Sequence, residues 1–285
     1  MQLSPAAFND IRKAVHDLCG IVISQDKQYL VKSRLEPILQ MNGLASYELL
    51  VQRLKQPNSL LLQDQMIEAI TTNETSFNRD GHPFEELRRS ILPELAGQLI
   101  ERRSTTRLSY LKARIWCAAV ATGQEAYTVA MAVKDFLAAR SACGLTALDF
   151  PILASDISSN ALATAREGRY SSAELDRGMT PVQRDRFFRQ ENGAWIVDAS
   201  LRRMVEFRRL NLILPLPDLG TFDLILCRNL LIYLDDATRR RLCHGLHSAL
   251  NPQGILMIGA AESLYGVTDA FSTERLGNTV VYRKQ

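Results

Sequence analysis

The stretch from Ala113 to Met131 constrains this chain more than any other. Arg114 to Val120 is almost unbroken in apolar character and of strand length, the pattern of a strand buried on both faces. Ala121, Thr122 and Gly123 are small and permit a tight turn with close backbone approach to a ligand. From Gln124 onward Tyr127, Ala130, Met131 and Lys134 recur at helical spacing. Strand, small-residue turn and helix open a nucleotide-type α/β unit, in which the helix N-terminus faces a ligand. One glycine stands where a dinucleotide fingerprint has three. The turn alone therefore leaves two readings open, a ligand loop or a plain strand–helix connection.

With 285 residues the chain is long enough for one large domain or two modest ones. Its hydrophobic share of 46% and charged share of 23% are those of a soluble globular protein. A net charge of +3, dispersed along the chain, gives no footprint for nucleic acid. The five cysteines (Cys19, Cys117, Cys143, Cys227, Cys243) are scattered and odd in number, as expected of reduced thiols in a cytoplasmic protein. His244 and His247 share a helix face without a third ligand type nearby, so no metal site is expected. No basic-then-apolar leader and no run of eighteen apolar residues occurs, so membrane insertion is not expected.

Residues 1–70 read as a helical domain of four short helices. Ser4-Pro5 starts the first, with Phe8, Ile11, Val15 and Leu18 as its buried stripe and Gly20 as its stop. Ser24 or Asp26 caps the second, which carries Lys27, Lys32 and Arg34; Ser46 caps the third, and the fourth runs from Leu60 to Ile70. Residues 71–83 begin with a polar run, Thr71 to Asp80, that breaks the periodicity and is either a linker or the lining of an interdomain cleft. An α/β domain then occupies residues 84–285, opening with a helix from Phe84 to about Glu101. Ile152 to Asp156 is its second short strand, and Ser158 caps the helix that follows. A small inserted β subdomain is expected at about 171–210, in which Ala194–Val197 and Met204–Phe207 pair. Phe222 to Cys227, Ile255 to Gly259 and an antiparallel Asn278 to Arg283 complete an open sheet.

Gly123, Glu125, Asp156, Asn211, Arg228, Asn229 and Tyr233 all fall just past predicted strand ends, the ligand edge of such a sheet. They contain no Ser-His-Asp order, Cys-His pair or metal cluster, which argues against hydrolytic chemistry. Acids and amides there suit a nucleoside ligand. The spacing from Gly123 to Asp156 exceeds the roughly twenty residues of a nicotinamide-binding fold, which argues against a dehydrogenase.

Four further blocks stand in order with Thr71 to Asp80: Thr122 to Tyr127, Ala154 to Ile157, Cys227 to Tyr233 and Ala261 to Leu264. In that order, and over nearly the whole chain, the sequence resembles the chemotaxis receptor protein-glutamate methyltransferases, the CheR family. The resemblance implies an S-adenosylmethionine-dependent methyltransferase-like open sheet, with an N-terminal all-helical domain and a small inserted antiparallel β subdomain. It also implies S-adenosylmethionine as methyl donor, S-adenosylhomocysteine as product, and receptor glutamates as acceptors. By position, Asn73, Thr75 and Arg79 line the cofactor, with Glu125 after the turn at Gly123 near its methionine or ribose part. Asp156 holds the ribose, Asn211 and Leu212 flank the adenine, and Arg228 and Asn229 sit beside the cofactor. Arg79 and Tyr233 face the incoming glutamate. The basic second helix implies a docking surface for chemoreceptor cytoplasmic domains, the inserted sheet a candidate site for a receptor C-terminal peptide; a monomer is expected.

The chain departs from that pattern at Ala119-Val-Ala-Thr-Gly123, where the family usually has glycine, cysteine, serine, threonine and glycine. Gln124-Glu-Ala-Tyr127 stands for glutamate-glutamate-proline-tyrosine, Asn78 for a phenylalanine, and Ala260-Ala261 for histidine-serine. The altered turn keeps open a non-catalytic module that binds S-adenosylmethionine or S-adenosylhomocysteine and regulates a partner. The run Asn229 to Tyr233 faintly resembles the motif of amino-methylating DNA enzymes but lacks both of its prolines. For the receptor reading, a glutamate acceptor is already ionised at neutral pH, its reference pKa being near 4.3, so no general base is required.

Overall fold

The computed structural model describes residues 1–285. Four helices build the N-terminal domain: α1 (Pro5–Cys19), α2 (Gln28–Met41), α3 (Tyr47–Leu54) and α4 (Leu60–Ile70). Ser4 and Ser46 accept from Ala7 N and Leu49 N, which closes the open amides of α1 and α3. Gly20 ends α1 in the left-handed region at φ 74°. Ile11, Val15, Leu35, Leu39, Tyr47 and Leu50 meet in the buried centre.

Two expectations for α2 are corrected. A 3-10 turn, Gln25–Lys27, precedes it, so neither Ser24 nor Asp26 caps the α-helix itself. Arg34 is not a free docking cation. Its guanidinium turns inward to the carbonyls of Ile70, at 2.5 Å, and Thr71, at 3.2 Å. Unpaired carbonyls at the C-terminus of α4 attract a cation, and Arg34 is the one within reach. Lys27 and Lys32 remain exposed.

After the segment 71–81, the expected single helix is three pieces: α5 (His82–Glu86), a π-helical turn (Leu87–Ile91) and α6 (Leu92–Thr106). Then come β1 (Ile115–Ala118), α7 (Gln124–Ala139), β2 (Ile152–Asp156), α8 (Ser159–Glu167) and β3 (Arg169–Tyr170). The insertion continues with α9 (Ser172–Asp176), α10 (Pro181–Phe187), β4 (Phe188–Glu191) and β5 (Ala194–Val197). The chain closes with α11 (Ala199–Arg202), β6 (Val205–Arg209), β7 (Phe222–Cys227), α12 (Asp236–Ala249), β8 (Leu250–Ile258), β9 (Phe271–Leu276) and β10 (Thr279–Lys284).

The main sheet runs β6-β2-β1-β7-β8-β10-β9, parallel from β6 to β8 and antiparallel beyond. Along β1, Ile115 and Cys117 join the apolar layer with α6 and α7, while Trp116 and Ala118 join the layer with α12. That two-sided burial is why β1 has no polar alternation. From β1 the chain leaves toward β2, and from β7 it leaves toward β8 on the opposite side. Their diverging loops open a crevice at the C-terminal strand tips.

The expected pairing of Ala194–Val197 with Met204–Phe207 does not form. β5 pairs with β3 and β4 in a separate three-stranded sheet, whereas β6 lies parallel to β2 at the main sheet's edge. A two-residue Asn192-Gly193 turn, both residues at positive φ, closes the β4–β5 hairpin. β6 instead buries Val205, and its Phe207 packs on Tyr127 of α7. The helical domain closes over the crevice. Val22 N donates to Tyr233 O at 2.8 Å, Asn211 Nδ2 to Leu18 O at 2.8 Å, and Arg209 pairs with Asp64 at 2.5 Å. His16 and Asp235 also pair across the boundary.

Candidate active site

A cleft lies between the helical domain and the strand tips. Its walls are the segment after α4, the turn after β1, the tip of β2, residues 210–213, and the loop after β7. Asn73, Thr75, Arg79, Glu125, Asp156, Asn211, Leu212, Arg228, Asn229 and Tyr233 all line it. Gly123 does not. At φ 92°, a Cβ there would sit 2.7 Å from Cβ of Ala165, so this glycine permits α7 to pack closely on α8.

Asp156 ends β2 with its carboxylate held by two backbone donors, Ala121 N at 2.8 Å and Ser158 N at 2.9 Å. Burial raises its pKa, and those N–H groups act in the opposite direction. Each carboxylate oxygen has two lone-pair sites, so both keep capacity for a further donor.

Arg228 forms the centre of the floor. Its guanidinium donates to Glu125 at 2.9 Å, to Asp80 at 2.7 Å and to the carbonyl of Arg79 at 3.0 Å, lying 5.0 Å from the Phe84 ring centre. Burial raises the pKa of Glu125, and the charge of Arg228 lowers it in part. Thus Arg228, expected beside the ligand, also fixes the acid next to it and the end of the segment above it.

The mouth is different. Arg79 donates only to the carbonyl of Glu74, at 3.0 Å, and the hydroxyl of Tyr233 has no protein partner. No histidine lines the cleft, and burial pushes the pKa of its one cysteine, Cys19, up to about 11. The side chain of Asn211 is already committed: its amide donates to Leu18 O, and its oxygen accepts from Ile213 N at 3.3 Å.

The all-helical part and the α/β part each match a family model. Residues 6–71 match the CheR methyltransferase all-alpha domain, and residues 73–280 match the CheR methyltransferase SAM binding domain. The chain belongs to the CheR methyltransferase family. It is 36% identical over 284 residues to chemotaxis protein methyltransferase 1 of Pseudomonas aeruginosa, covering 99% of each chain. Chemotaxis protein methyltransferase Cher2 of Pseudomonas putida is 35% identical over 277 residues, covering 97% of each. The chemotaxis protein methyltransferase of Vibrio parahaemolyticus is 35% identical over 282 residues, covering 99% of this chain and 98% of that one. This CheR chain is therefore an S-adenosylmethionine-dependent methyltransferase with the expected fold. None of its helices is long and apolar enough to cross a membrane, and no cluster of three or more His, Cys, Asp or Glu forms a metal site.

Two further residues of this CheR chain fall inside the quoted sequence blocks but carry no assigned role there. Glu262, inside the Ala261–Leu264 block, accepts from Asn229 N at 2.8 Å and Gly259 N at 2.7 Å, and so pins the loop carrying Asn229. A Cβ on Gly259 would come within 2.8 Å of Asn229 Nδ2, so the tip of β8 has no room for one. Asp80 is the other, and its ion pair with Arg228 gives it its role. Asn78, at φ 48°, explains one departure from the family pattern. Asparagine tolerates the left-handed region better than phenylalanine, and its amide donates to Gly178 O at 2.8 Å.

Proposed function

We propose that this protein transfers methyl groups to glutamate side chains in the cytoplasmic domains of chemoreceptors, forming methyl esters. The observation that carries this reading is the mouth of the cleft: an arginine and a phenol with free donors, and no histidine. An amine or alcohol acceptor needs a base to take its proton; a glutamate arrives ionised and needs only orientation. Arg79 and Tyr233 supply that orientation. Too strong an ion pair with Arg79 would stabilise the ground state, so its role is alignment rather than neutralisation. Holding the reacting groups in line is worth up to roughly 7–11 kcal/mol.

S-adenosylmethionine brings an electrophilic sulfonium methyl group. The donor set fits it: Asp156 has acceptor capacity for ribose hydroxyls, and Leu212 with Ile213 gives an apolar shelf for adenine. Asn211 flanks the same ring, and its backbone is what it has left to offer. Glu125 stands beside the ribose or methionine part, Arg228 and Asn229 beside the cofactor, and Asn73, Thr75 and Arg79 line it from the segment above. Lys27 in the turn before α2 and Lys32 on α2 suit an acidic receptor face, and the three-stranded sheet suits a receptor tail peptide; the protein acts as a monomer.

The test uses methyl-labelled S-adenosylmethionine with receptor signalling fragments. Label on receptor that mild base releases as methanol establishes ester formation. Stable label, or none despite tight cofactor binding, overturns the acceptor assignment.

A further inference from the structure

The last turn of α4 carries Glu68, whose carboxylate crosses from the helical domain to the opposite wall of the cleft. It accepts from the hydroxyl of Ser158 at 2.6 Å and from the backbone N–H groups of Ser159 at 2.6 Å and Asn160 at 3.2 Å. These donors form the start of α8, immediately beyond the tip of β2. The first turn of α8 has no acid of its own, so Glu68 supplies the negative charge that its N-terminus favours. Ser158 passes the constraint on, because its N–H is one of the two donors that hold Asp156. Three residues after Glu68 the chain enters the segment lining the other wall, and Asn73 Nδ2 reaches Ser158 Oγ at 3.5 Å. Arg34 grips the start of that segment from α2. Glu68 itself does not line the cleft.

We infer that Glu68 is a positioning residue that sets the separation of the two cleft walls, so that cofactor affinity depends on the docking of the helical domain. The inference rests on the reading of Asp156 as the ribose acid. Toward the cofactor Glu68 acts by holding the turn; its charge favours the N-terminus of α8 but not the ionised form of Asp156. Burial is the main cause of the raised Asp156 pKa, and repulsion from Glu68 adds to it, which opposes ionisation of the acid that the ligand needs. Position and charge therefore pull in opposite directions, and two variants separate them. Glu68→Ala removes the acceptor; Glu68→Gln keeps an acceptor oxygen and removes the charge.

The test is calorimetric titration of the full-length protein with S-adenosylmethionine, with hydrogen exchange measured on the free protein. Glu68→Ala is expected to raise Kd about ten-fold, the value of one hydrogen bond, and to speed exchange at Ser159 and Asn160. At saturating cofactor kcat should stay within about two-fold, and Glu68→Gln should hold Kd within about three-fold. An unchanged Kd in Glu68→Ala, or a fall in kcat alone, overturns the inference. So does a Glu68→Gln protein that loses as much affinity as Glu68→Ala while α8 stays protected. If Glu68→Ala does not fold, Glu68→Asp, which withdraws the carboxylate by one methylene, takes its place with the same expectation. A wild-type protein that binds no S-adenosylmethionine would instead sink the functional reading beneath it.

Discussion

At the floor of the cleft the side chain of Arg228 is 1% exposed and holds two carboxylates and a carbonyl. At the mouth, Arg79 makes one hydrogen bond to a backbone oxygen, and Tyr233, 37% exposed, makes none through its hydroxyl. The same residue type thus serves two ends. Donors bound to buried carboxylates make a rigid surface, even though Arg228 Nε itself has no partner, whereas free donors at a wet rim remain available to a substrate. The floor should answer to mutation mainly in stability, and the mouth mainly in turnover.

The largest effect is expected at the floor. Arg228→Met keeps the packing of the stem over Phe84 but leaves Glu125 and Asp80 without their cation. Breaking a buried pair in this way should cost about 3–5 kcal/mol, read from the urea midpoint. The sign of its pH dependence follows from Glu125, whose folded pKa burial already raises. Without Arg228 it rises further. An acid with a raised folded pKa loses stability as pH climbs from its unfolded value through the folded one. The deficit should therefore be larger at neutral than at acidic pH. A deficit under about 1 kcal/mol at neutral pH would mean that water reaches the floor and that the two regions differ little.

Arg79→Ala should show the opposite split. With its single hydrogen bond to a carbonyl, its loss should move stability by no more than about 0.5 kcal/mol. Turnover at saturating cofactor and receptor should fall about 100-fold, the usual consequence of a misplaced reacting group. If the stability of Arg79→Ala fell as far as that of Arg228→Met, the contrast between floor and mouth would be broken.

A smaller, graded effect sharpens the boundary between them. Asp156 has a raised pKa from burial, only partly offset by its two N–H partners. Its ionised form is the better acceptor, so cofactor affinity should be complete above the folded pKa and decline as pH falls through it. That decline should begin above the ordinary aspartate value near 3.9 and approach ten-fold per pH unit below the raised pKa. Calorimetry from about pH 7 to about pH 4 would show it, and Asp156→Asn should flatten the profile. An unchanged slope in that variant would place the titrating group elsewhere.

What could be read before folding was local. The caps Ser4, Ser46 and Ser158 lie three positions from the amides they bind. The extent of α4 follows its own apolar spacing. Glu125, Asp156, Asn211, Arg228, Asn229 and Tyr233 were legible because each falls just past a predicted strand end, whereas Asn73, Thr75, Arg79 and Leu212 came only from the family resemblance. Glu68 was not, because its partners are a hydroxyl and two backbone amides 90 to 92 positions away, and a backbone amide leaves no mark in a sequence. Arg34 read as part of a basic docking helix, although the carbonyls that claim it belong to another helix. β9 passed unseen because Ser272, Thr273, Glu274 and Arg275 are all polar, so no apolar alternation marks its two faces.

The smallest expected effect bears on the turn that opens the cleft. Ala119 and Ala121 occupy the left-handed region at φ 60° and 50°, and both line the cleft. An alanine held there costs about 1–2 kcal/mol, and the family pattern places glycine at position 119. Ala119→Gly should relieve that strain, less the roughly 0.5–1 kcal/mol of extra chain entropy that glycine loses on folding. The net gain is about 0.5 kcal/mol in the urea midpoint, with Kd for S-adenosylmethionine within about two-fold of wild type. The turn is held from behind by Asp156, which accepts from Ala121 N, so relieving position 119 need not move it. A gain in stability with unchanged affinity would place Ala119 with the rigid floor, its strain carried by the surrounding bonds. A loss of affinity would instead make its methyl group part of the cofactor surface, and extend to the turn after β1 the behaviour otherwise confined to the mouth.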